Sequence, residues 1–204
     1  MGTGRKRMLT DAAKLAHRTI VDWVEAGSSV LDLGCGDGEL LSVLVVEKRV
    51  NAQGIEIDEQ AIRRCVSLGL SVFQQDIDTG LSEFADDSFD YIILNQSLQQ
   101  VRKPDLVIRE AMRVGKKTVV GLPNFAQSSA RFQIFFKGKV PVTAALPYSW
   151  HDTPNLHFLS LLDFVEYSQK RRIKIEKSTF IRKGQKVKFF PNFFAEIGIF
   201  LLVK

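Results

Sequence analysis

The stretch VLDLGCGDG, residues 30–38, decides the fold of this chain. Residues 29–33 read as a short β-strand, three glycines follow at alternate positions, and residues 39–46 continue as a helix. Glycine suits such a loop because the chain turns tightly and its backbone must approach a ligand closely. Taken alone, the glycines also fit a plain left-handed turn between a strand and a helix. The stretch therefore predicts a strand–loop–helix unit, and its surroundings decide whether the loop binds a ligand.

Strand and helix patterns alternate on both sides of this loop. The predicted strands are 29–33, 52–56, 72–75, 89–94 and 118–122. The predicted helices are 11–23, 39–46, one that Asp58 caps, and 104–112. Such alternation is typical of βαβ units, in which helices cover both faces of a parallel sheet.

The alternation ends after the fifth strand. A capping box at residues 160–163 predicts a helix over 161–171. Residues 173–180 and 195–203 are predicted to form an antiparallel pair at the sheet edge. We therefore expect one α/β domain over residues 1–204, with a doubly wound, mostly parallel seven-stranded sheet.

Residues 124–159 form an insertion in this plan, and we expect it to act as a lid or to bind a partner. A helix predicted over 128–136 carries Phe132, Phe135 and Phe136 on one side. As part of a lid these rings would exclude water from a pocket, and as an exposed patch they would mark a partner surface. Ordinary core packing is the third interpretation.

Carboxylates end two further strands. Glu56 ends the second strand, roughly 20 residues after the loop, where a carboxylate can accept hydrogen bonds from both ribose hydroxyls. Asp76 ends the third and is expected to orient an adenine edge, with Ile77 packing on the ring. Together with the glycine loop, these strand ends predict a site for a nucleoside-type ligand.

The charges around the loop select among such ligands. A dinucleotide site has the pattern G-x-G-x-x-G and binds a pyrophosphate at the helix N-terminus. Here the pattern is G-x-G-x-G, and Asp32 and Asp37 flank it. Carboxylates repel a pyrophosphate but attract the ammonium and sulfonium groups of S-adenosylmethionine. The sequence therefore favours S-adenosylmethionine over NAD, and the missing G-x-x-x-x-G-K-[ST] excludes a P-loop.

The composition excludes several other classes. Cys35 and Cys65 are the only cysteines among 204 residues, with no C-x-x-C, so neither a disulfide framework nor a metal site is expected. No signal peptide is recognised, and the apolar run 197–203 is too short to span a membrane, which predicts a cytoplasmic location. The net charge of +5 lies largely in residues 170–188, but no aromatic-interleaved RNA motif accompanies it. Nucleic-acid binding is therefore not expected.

Nearly the whole chain resembles the class I S-adenosylmethionine-dependent methyltransferases. A narrower similarity to the MetW methionine-biosynthesis family rests on DIDTGL at 76–81, SFDYIILNQSLQ at 88–99, LPNF at 122–125 and LPYSWHDTPNLH at 146–157. In that family the protein is linked to a homoserine O-acyltransferase, which it supports in making the activated homoserine precursor of methionine. The resemblance implies the same role and the same partner here.

The resemblance also implies which residues hold S-adenosylmethionine, or S-adenosylhomocysteine as its product. The implied cofactor-binding residues are Asp32, Gly34, Gly36, Gly38, Glu56, Ile57, Asp76, Ile77 and Asn95. Asn95 and Gln96 follow the fourth strand and would face the amino-acid part and the methyl group of the cofactor.

Candidates for catalysis are Asn95, Gln96 and His157. Methyl transfer requires mainly positioning, and a base is needed only when the acceptor must lose a proton. Gln99 and Gln100 stand where many small-molecule members have a histidine, so an obvious base is missing; His157 could equally serve to hold the insertion in place. Two functions stay open. One is a partner protein that binds the cofactor without turnover, and the other is an independent small-molecule methyltransferase.

Overall fold

The computed structural model describes residues 10–143 and 145–204. Its strands are β1 Ser29–Leu33, β2 Asn51–Glu56, β3 Ser71–Gln74, β4 Phe89–Asn95, β5 Gly115–Pro123, β6 Lys174–Arg182, β7 Gln185–Lys186 and β8 Ile197–Val203. Its helices are α1 Asp11–Trp23, α2 Glu39–Lys48, α3 Glu59–Ser67, α4 Pro104–Val114, α5 Ser128–Lys137, α6 Leu161–Lys170 and α7 Pro191–Phe194. Two short 3-10 helices span Ile77–Thr79 and Leu98–Gln100. The predicted strands and helices are found, with ends that differ by at most three residues.

The strands form one sheet in the order β3-β2-β1-β4-β5-β8-β6-β7. Strands β1 to β5 pair in parallel, and β8 pairs antiparallel with both β5 and β6. The chain steps outward from β1 to β2 and β3, then returns to place β4 on the other side of β1. The carboxyl ends of β1 and β4 thus flank the point at which strand order reverses, where α/β sheets bind ligands.

The predicted doubly wound, mostly parallel sheet is confirmed, but its far end differs in two details. The closing pair does not lie wholly at the edge, because β8 is inserted between β5 and β6. Six of the seven residues of β8 are buried, as a strand with neighbours on both sides requires. The two-residue strand β7 adds an eighth member after β6; a strand this short leaves no hydrophobic period to recognise.

Helices cover both faces of the sheet. Ala12, Ala16 and Ile20 form the buried stripe of α1, which packs with α2 against one face. Helices α4 and α6 pack against the other face. The capping box of α6 is confirmed, since Ser160 and Asp163 each accept a hydrogen bond from the backbone N–H of the other. None of the helices in the described ranges is long and apolar enough to cross a membrane.

The insertion presents its aromatic helix to solvent. Helix α5 ends at Lys137, one residue beyond the predicted end, yet Phe132, Phe135 and Phe136 are 53%, 81% and 71% exposed. The core-packing interpretation of these rings is therefore wrong. The rings contact one another instead, and those of Phe135 and Phe136 lie edge to face with their centroids 4.9 Å apart. The lid and the partner surface remain as interpretations of the insertion.

Candidate functional site

A cleft at the carboxyl ends of the parallel strands contains two adjacent cavities. One has a volume of about 380 Å³ and reaches α1; we call it the α1-side cavity. The other, the β3-side cavity, has a volume of about 530 Å³ and reaches the end of β3. Gly34, Gly36, Gln96 and Gln100 line both. The cleft therefore lies at the reversal of strand order, where the sequence places the ligand.

Gly36 and Gly38 serve the glycine loop in different ways. Both have positive φ, +54° and +75° respectively. A Cβ at Gly36 would meet nothing within 4 Å, so its backbone faces open space in the cleft. A Cβ at Gly38 would lie 2.6 Å from Leu70 Cδ1 and 2.8 Å from Cys65 Sγ. Gly38 therefore lets α2 begin close to α3 and β3, and it lines neither cavity.

Glu56 fixes the loop from the end of β2. Its Oε2 accepts a hydrogen bond from the backbone N–H of Gly36 at 2.8 Å. Its Oε1 accepts from the N–H groups of Ile57 at 2.8 Å and Asp58 at 3.0 Å. Each carboxylate oxygen has about two lone-pair positions, so Oε2 keeps the capacity to accept from a ligand hydroxyl. Glu56 and Ile57 both line the β3-side cavity, and Ile57 is 62% exposed there.

The end of β3 supplies the far wall of the β3-side cavity. Asp76 caps the short helix Ile77–Thr79 by accepting from the N–H of Asp78 at 2.9 Å. Asp78 in turn accepts from the N–H of Arg102 at its Oδ2 and from the N–H of Lys103 at its Oδ1, each at 2.8 Å. Asp76, Ile77 and Asp78 all line this cavity. Sequence reasoning did not assign a role to Asp78, although the pair of acids two residues apart was a signal that the strand end is anchored.

Asp32 is a buried carboxylate in the wall of the α1-side cavity. It is 2% exposed, and its Oδ1 has no hydrogen-bond partner among the described residues. Burial, and secondarily the charge of Glu56, raises the pKa of Asp32 to about 7. An unsatisfied buried acceptor costs about 1–3 kcal/mol, so this position favours a ligand that donates hydrogen bonds or carries positive charge.

Asn95 and Gln96 lie beside Asp32 at the end of β4. Asn95 lines the α1-side cavity, and its Oδ1 also has no partner within the described ranges. Gln96 has a φ of +58°, and its N–H donates to Gly121 O at 2.8 Å. This left-handed turn directs the chain across the cleft, so that Gln96 lines both cavities.

Gln99 ties the insertion to the cleft. Its backbone carbonyl oxygen accepts from the N–H groups of Leu156 at 2.9 Å and His157 at 3.1 Å. His157 itself lines neither cavity, and its buried Nε2 has no partner in the part of the chain that the structure describes. Of the predicted site residues, the structure thus leaves His157 and Gly38 outside the cavity walls and brings the others together.

The cysteine of the glycine loop, Cys35, is not a nucleophile. Burial raises the pKa of the Cys35 thiol well above its usual range, so this loop cysteine is a neutral packing group.

Glu196, from the turn before β8, lines the α1-side cavity although sequence reasoning gave it no role. Nothing near it in the sequence signals this, because only the antiparallel pairing of β8 with β5 brings it to the cleft.

The residues present fit S-adenosylmethionine. Its ammonium and sulfonium groups match the buried Asp32 carboxylate, and a ribose hydroxyl matches the remaining acceptor position of Glu56 Oε2. Asp76 with the apolar Ile57 and Ile77 suits an adenine ring. When bound, this cofactor supplies an electrophilic methyl group.

Comparison with known proteins gives a family match over most of the chain. The family described as "Methionine biosynthesis protein MetW" matches residues 14–202. The bifunctional methionine biosynthesis protein MetXA/MetW of Rhodopirellula baltica is 32% identical over 182 residues, which cover 84% of this chain and 29% of that protein. The chain therefore spans less than a third of this relative's length.

Solved structures show the same fold at low sequence identity. A chain from the complex between the Haloferax volcanii Trm112 methyltransferase activator and a methyltransferase has a TM-score of 0.68 at 16% identity, over 93% of this chain and 90% of that one. A SAM-dependent methyltransferase from Archaeoglobus fulgidus also has a TM-score of 0.68, at 15% identity over 94% of both chains. The fold is thus that of S-adenosylmethionine-dependent methyltransferases.

Proposed function

The chain belongs to the MetW family of methionine biosynthesis proteins, and from this premise we propose that it binds S-adenosylmethionine and supports a homoserine O-acyltransferase. The observation that carries the cofactor half of this proposal is the buried, unpartnered oxygen of Asp32 beside the open backbone of Gly36. A carboxylate kept in this environment is disfavoured without a cationic ligand.

In the proposed complex each part of the cofactor meets a different strand end. Asp32 and Asn95 hold the ammonium group, and Gly36 allows the amino-acid part to approach the loop backbone. Glu56 accepts from a ribose hydroxyl through Oε2 while it keeps its bonds to the amides of Gly36 and Ile57. Asp76 orients the adenine. Support for this arrangement comes from the cavities that these residues line and from the fold that the chain shares with SAM-dependent methyltransferases.

The partner half of the proposal rests on the family and on the insertion. In the Rhodopirellula relative the names MetXA and MetW belong to one polypeptide, as is expected when two proteins work together. In this chain the insertion, residues 124–159, exposes the rings of α5, with Phe135 81% exposed. Exposed aromatic clusters of this kind are typical of partner surfaces. We propose that α5 contacts the acyltransferase.

A pull-down from cell lysate, run with and without added S-adenosylmethionine, tests this partnership. We expect recovery of the homoserine O-acyltransferase, and a dependence on the cofactor would make the chain a sensor of the pathway's downstream product. Phe135→Ser should reduce recovery at least tenfold. Val46→Ser, which removes a side chain that is 76% exposed on α2, serves as the control and should leave recovery unchanged. No recovery from a folded, cofactor-bound protein would refute the partnership.

A second function, independent methylation of a small molecule, is favoured by the extent of the α1-side cavity. It continues past the proposed cofactor contacts to His17, Asn155 and Glu196. Substrate-dependent formation of S-adenosylhomocysteine by the purified chain, abolished in Asp32→Ala, would establish turnover. Its absence across a metabolite panel would favour the partner role.

A further inference from the structure

The α1-side cavity has a part that the proposed cofactor contacts do not use. This part, which we call the outer pocket, is lined by His17 of α1, Gln99, Asn155 of the insertion, and Glu196 before β8. In the sheet, β5 and β8 follow β4 in the direction away from β2 and β3. Glu196, directly before β8, therefore lies on the side of the cavity that is opposite the proposed adenine site.

The charges around the α1-side cavity have one sign. Among the described residues that line it, no lysine or arginine occurs, and the charged side chains are Asp32, Asp37, Glu39 and Glu196. Burial lowers the pKa of His17, against the opposing charge of Glu39, so this histidine is neutral at neutral pH. The potential in the pocket is therefore negative, and it attracts cations and repels carboxylates.

Glu196 is the nearly buried acid of the outer pocket and is unpaired among the described residues. It is only 8% exposed, and its Oε2 accepts one hydrogen bond, from the backbone N–H of Lys183 at 3.1 Å. Within residues 10–143 and 145–204 it takes part in none of the ion pairs, whereas Asp37 is paired with Arg64 at 2.5 Å. A buried carboxylate without a cationic partner is costly unless a ligand supplies one.

Gln99 is a second, independent acceptor on the same pocket. It is 4% exposed, and its Nε2 donates to Gln96 O at 2.6 Å, which fixes the orientation of the amide. Its Oε1 is left buried and without a partner in the described part of the chain. Both nearly buried side chains line the same cavity, and an ammonium group, with three N–H donors, can serve more than one such acceptor.

We propose that the outer pocket binds the ammonium group of a second small molecule, a primary amine, through Glu196 and Gln99. The inference rests on the proposed function, because the cofactor's own ammonium is assigned to Asp32. It extends that function by naming the class of the second ligand and by excluding molecules whose only charge is a carboxylate.

Three probes of similar size and different charge test this inference: n-butylammonium, n-butanol and n-butyrate. Each is titrated into the purified 204-residue chain saturated with S-adenosylhomocysteine, and ligand-observed NMR gives the dissociation constants. We expect n-butylammonium to bind at least tenfold more tightly than n-butanol, and n-butyrate to be rejected. Equal or tighter binding of n-butyrate, or no binding of n-butylammonium, would overturn the proposal.

Variants locate the amine. Glu196→Gln removes the charge but keeps an oxygen for the Lys183 N–H, so the fold is preserved, and n-butylammonium should lose at least tenfold in affinity. Gln99→Leu should lose about threefold or more. The control Glu176→Gln makes the same charge change on the exposed face of β6 and should alter nothing. Unchanged affinity in both pocket variants would contradict the proposed contacts.

Calorimetry with S-adenosylhomocysteine on the same samples separates the two proposals. If the cofactor binds and the amine does not, the second ligand is wrong and the proposed function stands. If the cofactor does not bind, both proposals fail together.

Discussion

The two cavities of the cleft are built in different ways. The β3-side cavity is lined mostly by residues at or after the ends of neighbouring strands, and its carboxylates, Glu56 and Asp78, accept hydrogen bonds from backbone amides. The α1-side cavity gathers residues from α1, the insertion and the turn before β8, and its wall keeps the unpartnered oxygens of Asp32 and Gln99. The β3-side cavity is thus a cradle whose carboxylates are held by backbone amides, whereas in the α1-side cavity Asp32 and Gln99 each keep an acceptor that is unpartnered among the described residues. Substitutions in the two cavities should therefore differ in how they change ligand binding and protein stability.

The largest effect is expected at Glu56, in the cradle. Glu56→Ala removes the acceptor for a ribose hydroxyl and for the Gly36 amide, and each charge-assisted hydrogen bond is worth about 1.5–3 kcal/mol. The dissociation constant of S-adenosylhomocysteine, measured by calorimetry, should rise by at least ~100-fold. Glu59→Ala is the matched control: it removes an exposed acid three positions on, whose ion pair with Arg63 is 3.8 Å long. Equal affinities in the Glu56 variant and the wild type would mean that the ribose lies elsewhere.

Two glycines of one loop should separate stability from binding. Gly38→Ala forces a Cβ against Leu70 and Cys65 at positive φ, so the free energy of unfolding should fall by about 2–4 kcal/mol. Gly36→Ala meets no neighbour and should cost only about 1 kcal/mol of stability. Because its methyl group enters the cleft, it should weaken cofactor binding about tenfold or more. Denaturant titrations and calorimetry check the pair, and a reversed order of stabilities would contradict the different roles.

Asp32 should make stability and binding respond to pH in opposite directions. Its folded pKa, raised to about 7, lies above its unfolded value, so the unfolded state loses its proton first as pH rises. The cofactor-free protein should therefore lose stability from about pH 4 to 7, whereas Asp32→Asn should lack this contribution. A cationic ligand prefers the ionised carboxylate, so affinity should rise about tenfold between pH 6 and 8. Parallel pH profiles for the wild type and Asp32→Asn would disprove the assigned pKa.

The smallest effect is expected at His157, which lines neither cavity. Its backbone N–H, not its ring, ties the insertion to Gln99 at 3.1 Å. His157→Gln should therefore change cofactor affinity and any methyl transfer less than threefold. A loss beyond tenfold in turnover at unchanged affinity would restore His157 as a catalytic residue, as the sequence interpretation allows.

The residues that could be predicted from the sequence are mostly those at strand ends, and those that could not be predicted come from elements far apart in the chain. Gly36, Glu56 and Asp76 stand at strand ends, and parallel pairing brings such ends to one edge whatever the rest of the chain does. Glu196 could not be found in this way, because its position depends on β8 pairing with β5 far earlier in the chain. Phe135 was open to a core interpretation because helical period shows which residues share a face, not what covers that face.

The central claim is that this cleft binds S-adenosylmethionine in preference to a dinucleotide. Calorimetric titration of the purified chain with S-adenosylmethionine and, separately, with NAD tests it most directly. We predict one S-adenosylmethionine per chain and no measurable NAD binding, since Asp32 and Asp37 oppose a pyrophosphate beside the loop. Binding of NAD at this cleft, or no binding of S-adenosylmethionine by the folded protein, would contradict the claim.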